Sequence, residues 1–543
     1  MAPTDPITTF EPEEHAAQSG ETPKQSTEAS RPLRDQEYLD DGEEQAEEEG
    51  LLEKGTRSTR KQRSNSILSF DFSNRLILEA SEQVERSLVG TRDDEKISLV
   101  SGIALIVGLV IGSGIFASSG IVAKETGSVG SSLIVWLISG ALAWAGGSSL
   151  AELGSALPQN GGSQVYLSAA YGSLPSYCFS FTAVTALKPG SQAIISIIAG
   201  EYICRVLWHT AFSDDPQKAA RGVPTAAIKG TALICLLLVS SLQAWSTKAG
   251  TRMQVYTTAF KVLAIVVIFV AGIAWLCLGR IASSFSFEGS THQPTGYALA
   301  LFSALWAYDG FDQANYVARE TKPGHLPKMI NISLALIVVL FSLCNIAYFI
   351  VLPFDIATAT STIALDFGRA LAGPIGALLF ALIVSVSCIS ALNSSLYTSS
   401  RLVVAAGEQG FLPKVLSEYN SRRQTPINGI LLSSTLSTIF ILIGDFSNLT
   451  LFYGVCAWTW NFLVVVGLLV LRVREPTLKR PYRTWLITPI LFASTALFLL
   501  VLSAFSKPWQ SLAGFLFCGA GALPYYLQVR RKQQANTVDV EMT

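Results

Sequence analysis

Two interruptions of otherwise apolar runs carry the binding chemistry this sequence can offer. The first is Gly112-Ser113-Gly114, inside the run 97–121. The second is Ala307-Tyr308-Asp309-Gly310, inside the run 297–318. Gly costs about 1 kcal/mol relative to Ala in a helix interior, so a GSG triplet predicts an unwinding point. In hydrocarbon, unwound backbone is tolerated only where protein or a water-filled cavity satisfies it. A helix restarting after a break presents free N–H groups that suit a carboxylate, and unwound carbonyls accept from an ammonium. The pair of breaks therefore predicts reversible binding of a zwitterion. Close helix packing, which favours small residues, would explain either break alone.

The ionisable residues inside the apolar runs sharpen this reading. A carboxylate in a membrane span costs at least about 2.5–3.5 kcal/mol, so Asp309 and Asp312 either touch a ligand or belong to a structural ion pair. Lys188, the one cation in the middle of its run, is the natural partner. Lys261 lies about ten residues inside the run 250–279, too deep to snorkel easily. Ser387, Ser390, Ser394 and Tyr397 follow at spacings of three, four and three, which puts one polar stripe on one helix face. The stripe faces either Lys261 or a neighbouring helix. No nucleophile–base pair and no metal-ligand spacing appears, so the sequence reads as no enzyme and implies no cofactor. Six of the eight cysteines (Cys178, Cys235, Cys277, Cys344, Cys388, Cys456) fall in apolar segments and read as small hydrophobes.

The elements that must position these groups are membrane helices. Residues 1–96 carry 35 charged side chains, whereas the 433 residues 97–529 carry 39. So apolar a body excludes an ordinary soluble enzyme, a secreted protein and a nucleic-acid binder. Twelve runs reach about the 20 residues needed to cross hydrocarbon: 97–121, 130–156, 175–208, 226–244, 250–279, 297–318, 329–352, 371–400, 427–443, 449–471, 485–505 and 509–527. With the N-terminus inside, the inner loops and C-tail hold 17 Lys and Arg against 8 outside, which predicts both termini in the cytosol. The fold class is thus an all-α polytopic membrane protein. Its domains are a disordered tail 1–96, a transporter body 97–529 and a short C-tail 530–543. The tail is too polar to bury a core and shows no cleavable signal. It reads as a solvated tether or as a regulatory arm touching the anionic leaflet through Arg57, Arg60, Lys61 and Arg63. Leu76 to Val89 could form an amphipathic helix before the membrane.

Breaks in the first and sixth spans are the signature of a five-plus-five inverted repeat with its site near the midplane. In this arrangement the chain resembles the L-type amino acid transporter family of the amino acid–polyamine–organocation superfamily. The resemblance rests on Val107 to Gly130 (VGLVIGSGIFASSGIVAKETGSVG), on Ala151-Glu152-Leu153-Gly154, and on Leu187-Lys188-Pro189-Gly190-Ser191-Gln192. It continues with Thr251-Arg252-Met253-Gln254 and Phe260-Lys261, and with WAYDGFDQANYVARE from Trp306 to Glu320. NSSLYTSSRLVVAAGEQGFLP from Asn393 to Pro413 and RVREPTLKRP from Arg472 to Pro481 complete the set, which spans nearly all of 97–529 in order. It implies a LeuT-type bundle of twelve helices, helices 1 and 6 broken, and amino acid transport by alternating access.

By that resemblance, Ser113 and Gly114 hold the substrate carboxylate, and Val110, Ile111 and Gly112 line its approach. The carbonyls of Trp306, Ala307 and Asp309 accept the ammonium, and Trp306 closes the outer gate. Ile195 and Trp458 line the side-chain pocket, where Ala457 replaces an Asn of some relatives. Lys261, with Ser390 nearby, stands where sodium-coupled relatives hold a cation, so transport is expected to be sodium-independent. Asp309, a Gly in many relatives selective for large neutral amino acids, resembles the branch that exchanges cationic and neutral amino acids, cystine among them.

Two departures concern partners. Animal members pair with a heavy chain through a Cys between spans 3 and 4, and His209 to Lys229 has none. No disulfide-linked heavy chain is therefore expected, and the long acidic tail resembles fungal members, methionine permeases included. The expected function is a sodium-independent plasma-membrane permease for neutral amino acids of medium to large size, methionine- or leucine-like. A cationic/neutral amino acid or cystine exchanger is the alternative. A nutrient sensor signalling through 1–96 is the rival from another class.

Overall fold

An apolar run in hydrocarbon can satisfy its own backbone only as a helix, and the protein follows that constraint throughout. The computed structural model describes residues 96–208, 223–360, 362–444 and 446–528. The tail 1–95 with its Leu76–Val89 segment, most of the loop after the third run, and the C-tail lie outside the described residues. Among those described, every regular element is helical, and the one β-type contact is an isolated parallel bridge between Ile97 and Thr321.

The first run divides into α1 (Leu99–Val110) and α2 (Gly114–Thr126). Then come α3 (Val129–Ala156), α4 (Ser163–Tyr171), α5 (Ser173–Thr182), a π-turn at Ala183–Leu187, and α6 (Lys188–Leu207). Helices α7 (Thr225–Trp245), α8 (Thr247–Cys277) and α9 (Pro294–Ala307) lead to a 3-10 segment, Gln313–Glu320. The rest is α10 (His325–Val351), α11 (Phe354–Ala359), α12 (Ile363–Glu408), α13 (Ile427–Ile443), α14 (Phe446–Arg474), α15 (Ile487–Ser506) and α16 (Pro508–Ala520).

Local sequence explains several ends. The Ser98, Ser128 and Ser246 hydroxyls each accept from the backbone N–H three residues on, capping α1, α3 and α8. Pro294 opens α9, where its missing N–H costs nothing. Gly373-Pro374 kinks α12, so the span proper begins after it.

Among the described residues, eight helices are long and apolar enough to cross a membrane, with α5, the π-turn and α6 counted as one, and α1 with α2, bent by 44°, passes as a ninth. The protein is a multi-pass membrane protein. Helices α9, α13 and α16, read from sequence as spans, have only 14, 17 and 13 residues. The run 297–318 departs most from expectation. Its second half is the 3-10 segment, kinked at Val317, in place of a second α-helix. Asp312, Gln313 and Asn315 follow the break closely, and their side chains bond within it and across to other helices.

Candidate functional site

The break in the first run leaves backbone groups that no helix can satisfy. Helix α1 closes with the Ile111 N–H on the Val107 carbonyl at 2.8 Å. The Gly108 carbonyl, which an unbroken helix would pair with residue 112, accepts instead from Lys261 Nζ at 2.6 Å. The Ile111 and Gly112 carbonyls accept from Ser387 Oγ at 2.9 and 3.0 Å. Helices α8 and α12 thus hold the carbonyl side of the break. On the other side, Ser113 stands at the N-cap of α2 with no side-chain cap bond, and the first N–H groups of α2 have no partner within their helix.

The break in the sixth run meets it directly. A Cβ added at Gly114 would lie 2.6 Å from Ala307 Cα, so only glycine allows this approach. Gly310 has φ of 114°, in the region glycine favours, and turns the chain against Leu109. Between them Tyr308 points away from the site. Its hydroxyl donates to the Trp136 carbonyl at 3.2 Å, and its ring packs on Phe341 at 5.0 Å.

The acidic residues divide their roles. Lys188, placed by the π-turn and Pro189 at the start of α6, lies 4.0 Å from Asp312 and 4.0 Å over the Tyr316 ring. It also donates to Gln313 Oε1 at 3.3 Å, an oxygen that accepts from Thr398 at 2.5 Å. Asp312 thus takes the structural ion pair. Asp309 instead accepts a hydrogen bond from the Tyr453 hydroxyl of α14.

These groups surround a narrow cavity with mixed polar and apolar walls. Of the residues the sequence singled out, Val110, Gly112, Ser113 and Gly114 lie on its wall from one break, and Trp306, Ala307 and Asp309 from the other. Ile195 completes them from α6. Three others sit differently. Ile111 is buried off the wall with its carbonyl on Ser387, and Trp458 lines a neighbouring pocket. Ser390 bonds to Thr257 at 2.7 Å and to Gln254 at 3.3 Å rather than to Lys261. The polar stripe of α12 therefore serves several neighbours, because Tyr397 reaches Glu320 at 3.1 Å. Sequence reasoning missed Ser191, Gln313, Ser395 and Tyr453 on the wall. Gln313 was discoverable from its place beside the break; Tyr453 carried no local signal.

The amino acid permease family profile matches residues 97–519. The chain belongs to the amino acid permease family. Over 442 residues it is 34% identical to the b(0,+)-type amino acid transporter 1 of Homo sapiens, covering 81% of this chain and 88% of that one. It is 31% identical to the Homo sapiens cystine/glutamate transporter over 435 residues, 80% and 85% of the two chains. For the Mus musculus large neutral amino acids transporter small subunit 2 the values are 32% over 441 residues, 80% and 81%. The family and these relatives are transporters rather than enzymes.

In this permease a second polar cluster closes the bundle at the end where α1 begins. The Ile97 N–H donates to the Glu320 carbonyl at 2.7 Å. The Glu320 carboxylate accepts from Asn160 at 3.2 Å and Tyr397 at 3.1 Å and lies 3.4 Å from Arg401. A third cluster ties α3 to the α14–α15 loop. Fully buried Glu152 accepts from Arg472 Nε at 3.0 Å and from the Thr484 N–H at 2.9 Å, with Arg480 at 3.6 Å.

Proposed function

We propose that the permease moves neutral amino acids of medium to large size, methionine- or leucine-like, by sodium-independent alternating access. The observation that carries this reading is the single cavity shared by both breaks. The N–H end at Ser113 and Gly114 suits the carboxylate, and the carbonyls of Trp306, Ala307 and Asp309 suit the ammonium. Ile195 and Trp306 offer an apolar wall to the side chain. Lys261 supplies a fixed ammonium at Gly108 in place of a bound cation.

The same reading sets the architecture. Twelve spans in 97–529 form a LeuT-type five-plus-five repeat, with spans 1, 2, 6 and 7 rocking against the others. Residues 1–96 and 530–543 are cytosolic tails, and the membrane is the plasma membrane. No disulfide-linked heavy chain takes part, in keeping with the lack of Cys in 209–229.

One observation favours a second reading. Asp309 lies on the cavity wall, and Lys188, on the same wall, takes Asp312 as its ion-pair partner. A carboxylate there suits a cationic side chain or the second ammonium of cystine, and a relative named a cystine/glutamate transporter agrees with it.

Uptake of labelled methionine, in sodium-free buffer and against unlabelled competitors, tests both. Competition by neutral amino acids but not lysine supports the first reading. Competition by lysine or cystine as well moves the assignment to the second. No uptake by chain at the cell surface removes transport and leaves a sensor.

A further inference from the structure

Beside the cavity lies a second, tightly closed pocket, lined by Phe302, Phe311, Gly454, Ala457, Trp458 and Asn461. Its far side is braced, because Phe311 and Trp458 both pack on Phe492, at 5.9 and 5.6 Å. Trp306, Asp309 and Tyr453 line both spaces and so form the partition between them. Across that partition runs the hydrogen bond from the Tyr453 hydroxyl to the Asp309 carboxylate.

We infer that this bond is a latch, and that Tyr453 is the specificity-determining residue that keeps large side chains out of the second pocket until it opens. The inference rests on the cavity being the amino acid site. The polar cavity accommodates the shared head group and a small side chain. A bulky aromatic side chain needs the aromatic pocket and must part Tyr453 from Asp309 to enter it. Parting them forfeits a hydrogen bond to a charged acceptor, worth about tenfold or more in an equilibrium. Alanine binds without that loss, and tryptophan bears it.

The test is equilibrium binding of tryptophan and alanine to the purified full-length chain in detergent, beside uptake in cells. In Tyr453→Phe the ratio of tryptophan to alanine affinity is expected to rise about tenfold. Asp309→Asn keeps an acceptor for the hydroxyl and is expected to raise the ratio less than Tyr453→Phe. Gly454→Val fills the pocket, since even a Cβ there would lie 2.2 Å from Phe302 Cζ, and is expected to lower the ratio in either background. A Tyr453→Phe ratio within about twofold of wild type, or affinities that fall in parallel, overturns the latch. Binding of neither amino acid by the wild type overturns the latch together with the site. Binding without uptake removes only the transport reading, because the ratio still tests the latch.

Discussion

Lys261 Nζ donates to the Gly108 carbonyl at 2.6 Å, so the ammonium closes the end that the break opens in α1. One residue group does what an intact helix would have done with a backbone N–H. Thr258 below it donates to the Ala104 carbonyl at 3.0 Å, so α8 grips α1 at two successive turns. Lys261→Ala leaves Gly108 without that donor and is expected to lower uptake by about tenfold or more. Wild-type uptake is expected to be the same in sodium and choline buffers. A wild-type rate that collapses on sodium removal contradicts the substitution of ammonium for ion.

Gly114 and Ala307 bring the two breaks into contact, and no side chain fits between them. Gly114→Ala places its methyl 2.6 Å from a backbone carbon, which cannot rotate away. The expected result is a lower melting temperature, from overpacking of about 1–3 kcal/mol, with a larger fractional loss of amino acid binding. Thermal melting with and without ligand separates the two effects. Unchanged binding would remove the junction from the site.

The breaks themselves were legible in the sequence because GSG and YDG stand out against apolar flanks. Lys261 was legible for the same reason, as a charge deep in a hydrophobic run. Lys188 was legible too, as the lone cation in its run and the natural partner of an acid, and the acid it meets is Asp312. Tyr453 was not, because it meets Asp309 across 144 positions through packing that leaves no periodic trace. Ser390 shows the limit of a face argument. Spacing placed it on the correct helix face, but the neighbours it meets there are Thr257 and Gln254. The second half of the sixth run was misjudged because hydropathy does not distinguish an α-helix from the 3-10 segment at Gln313–Glu320.

Glu152 is fully buried and its carboxylate is held by Arg472, Arg480 and the Thr484 N–H. Removing one member of a buried ion pair strands the other, at about 3–5 kcal/mol. Glu152→Ala is therefore expected to cut the yield of folded protein and its melting temperature sharply. Replacing Glu152 and Arg472 together by Met is expected to recover part of that loss, since only Arg480, which also donates to the Leu471 and Glu475 carbonyls, then lacks its carboxylate. Equal instability of single and double variants would mean that the loop depends on Arg480 and Thr484 instead.

Glu320 joins three segments at one point: the start of α1 through Ile97, the α3–α4 loop through Asn160, and α12 through both Tyr397 and Arg401. The Arg401 guanidinium also stacks on the Tyr397 ring at 3.6 Å, which fixes both donors toward the carboxylate. Between this cluster and the breaks lies a small pocket that includes Ser101, Leu105 and Ser394, so the cluster stands across the way out on the side proposed as cytosolic. Glu320→Ala removes the carboxylate that Asn160, Tyr397 and Arg401 share, and leaves the start of α1 held only by the backbone bonds of Ile97. The closed state should lose population, and Ser101→Cys reports it. In inside-out vesicles, labelling of Ser101→Cys by an impermeant thiol reagent is expected to rise about tenfold when Glu320→Ala is added, the worth of a charged hydrogen bond. Bound substrate should not reverse that rise if Glu320 acts only on closure. Unchanged labelling would mean that side-chain packing of α1 against α8 and α12 keeps this end shut, with the charges contributing only to folding.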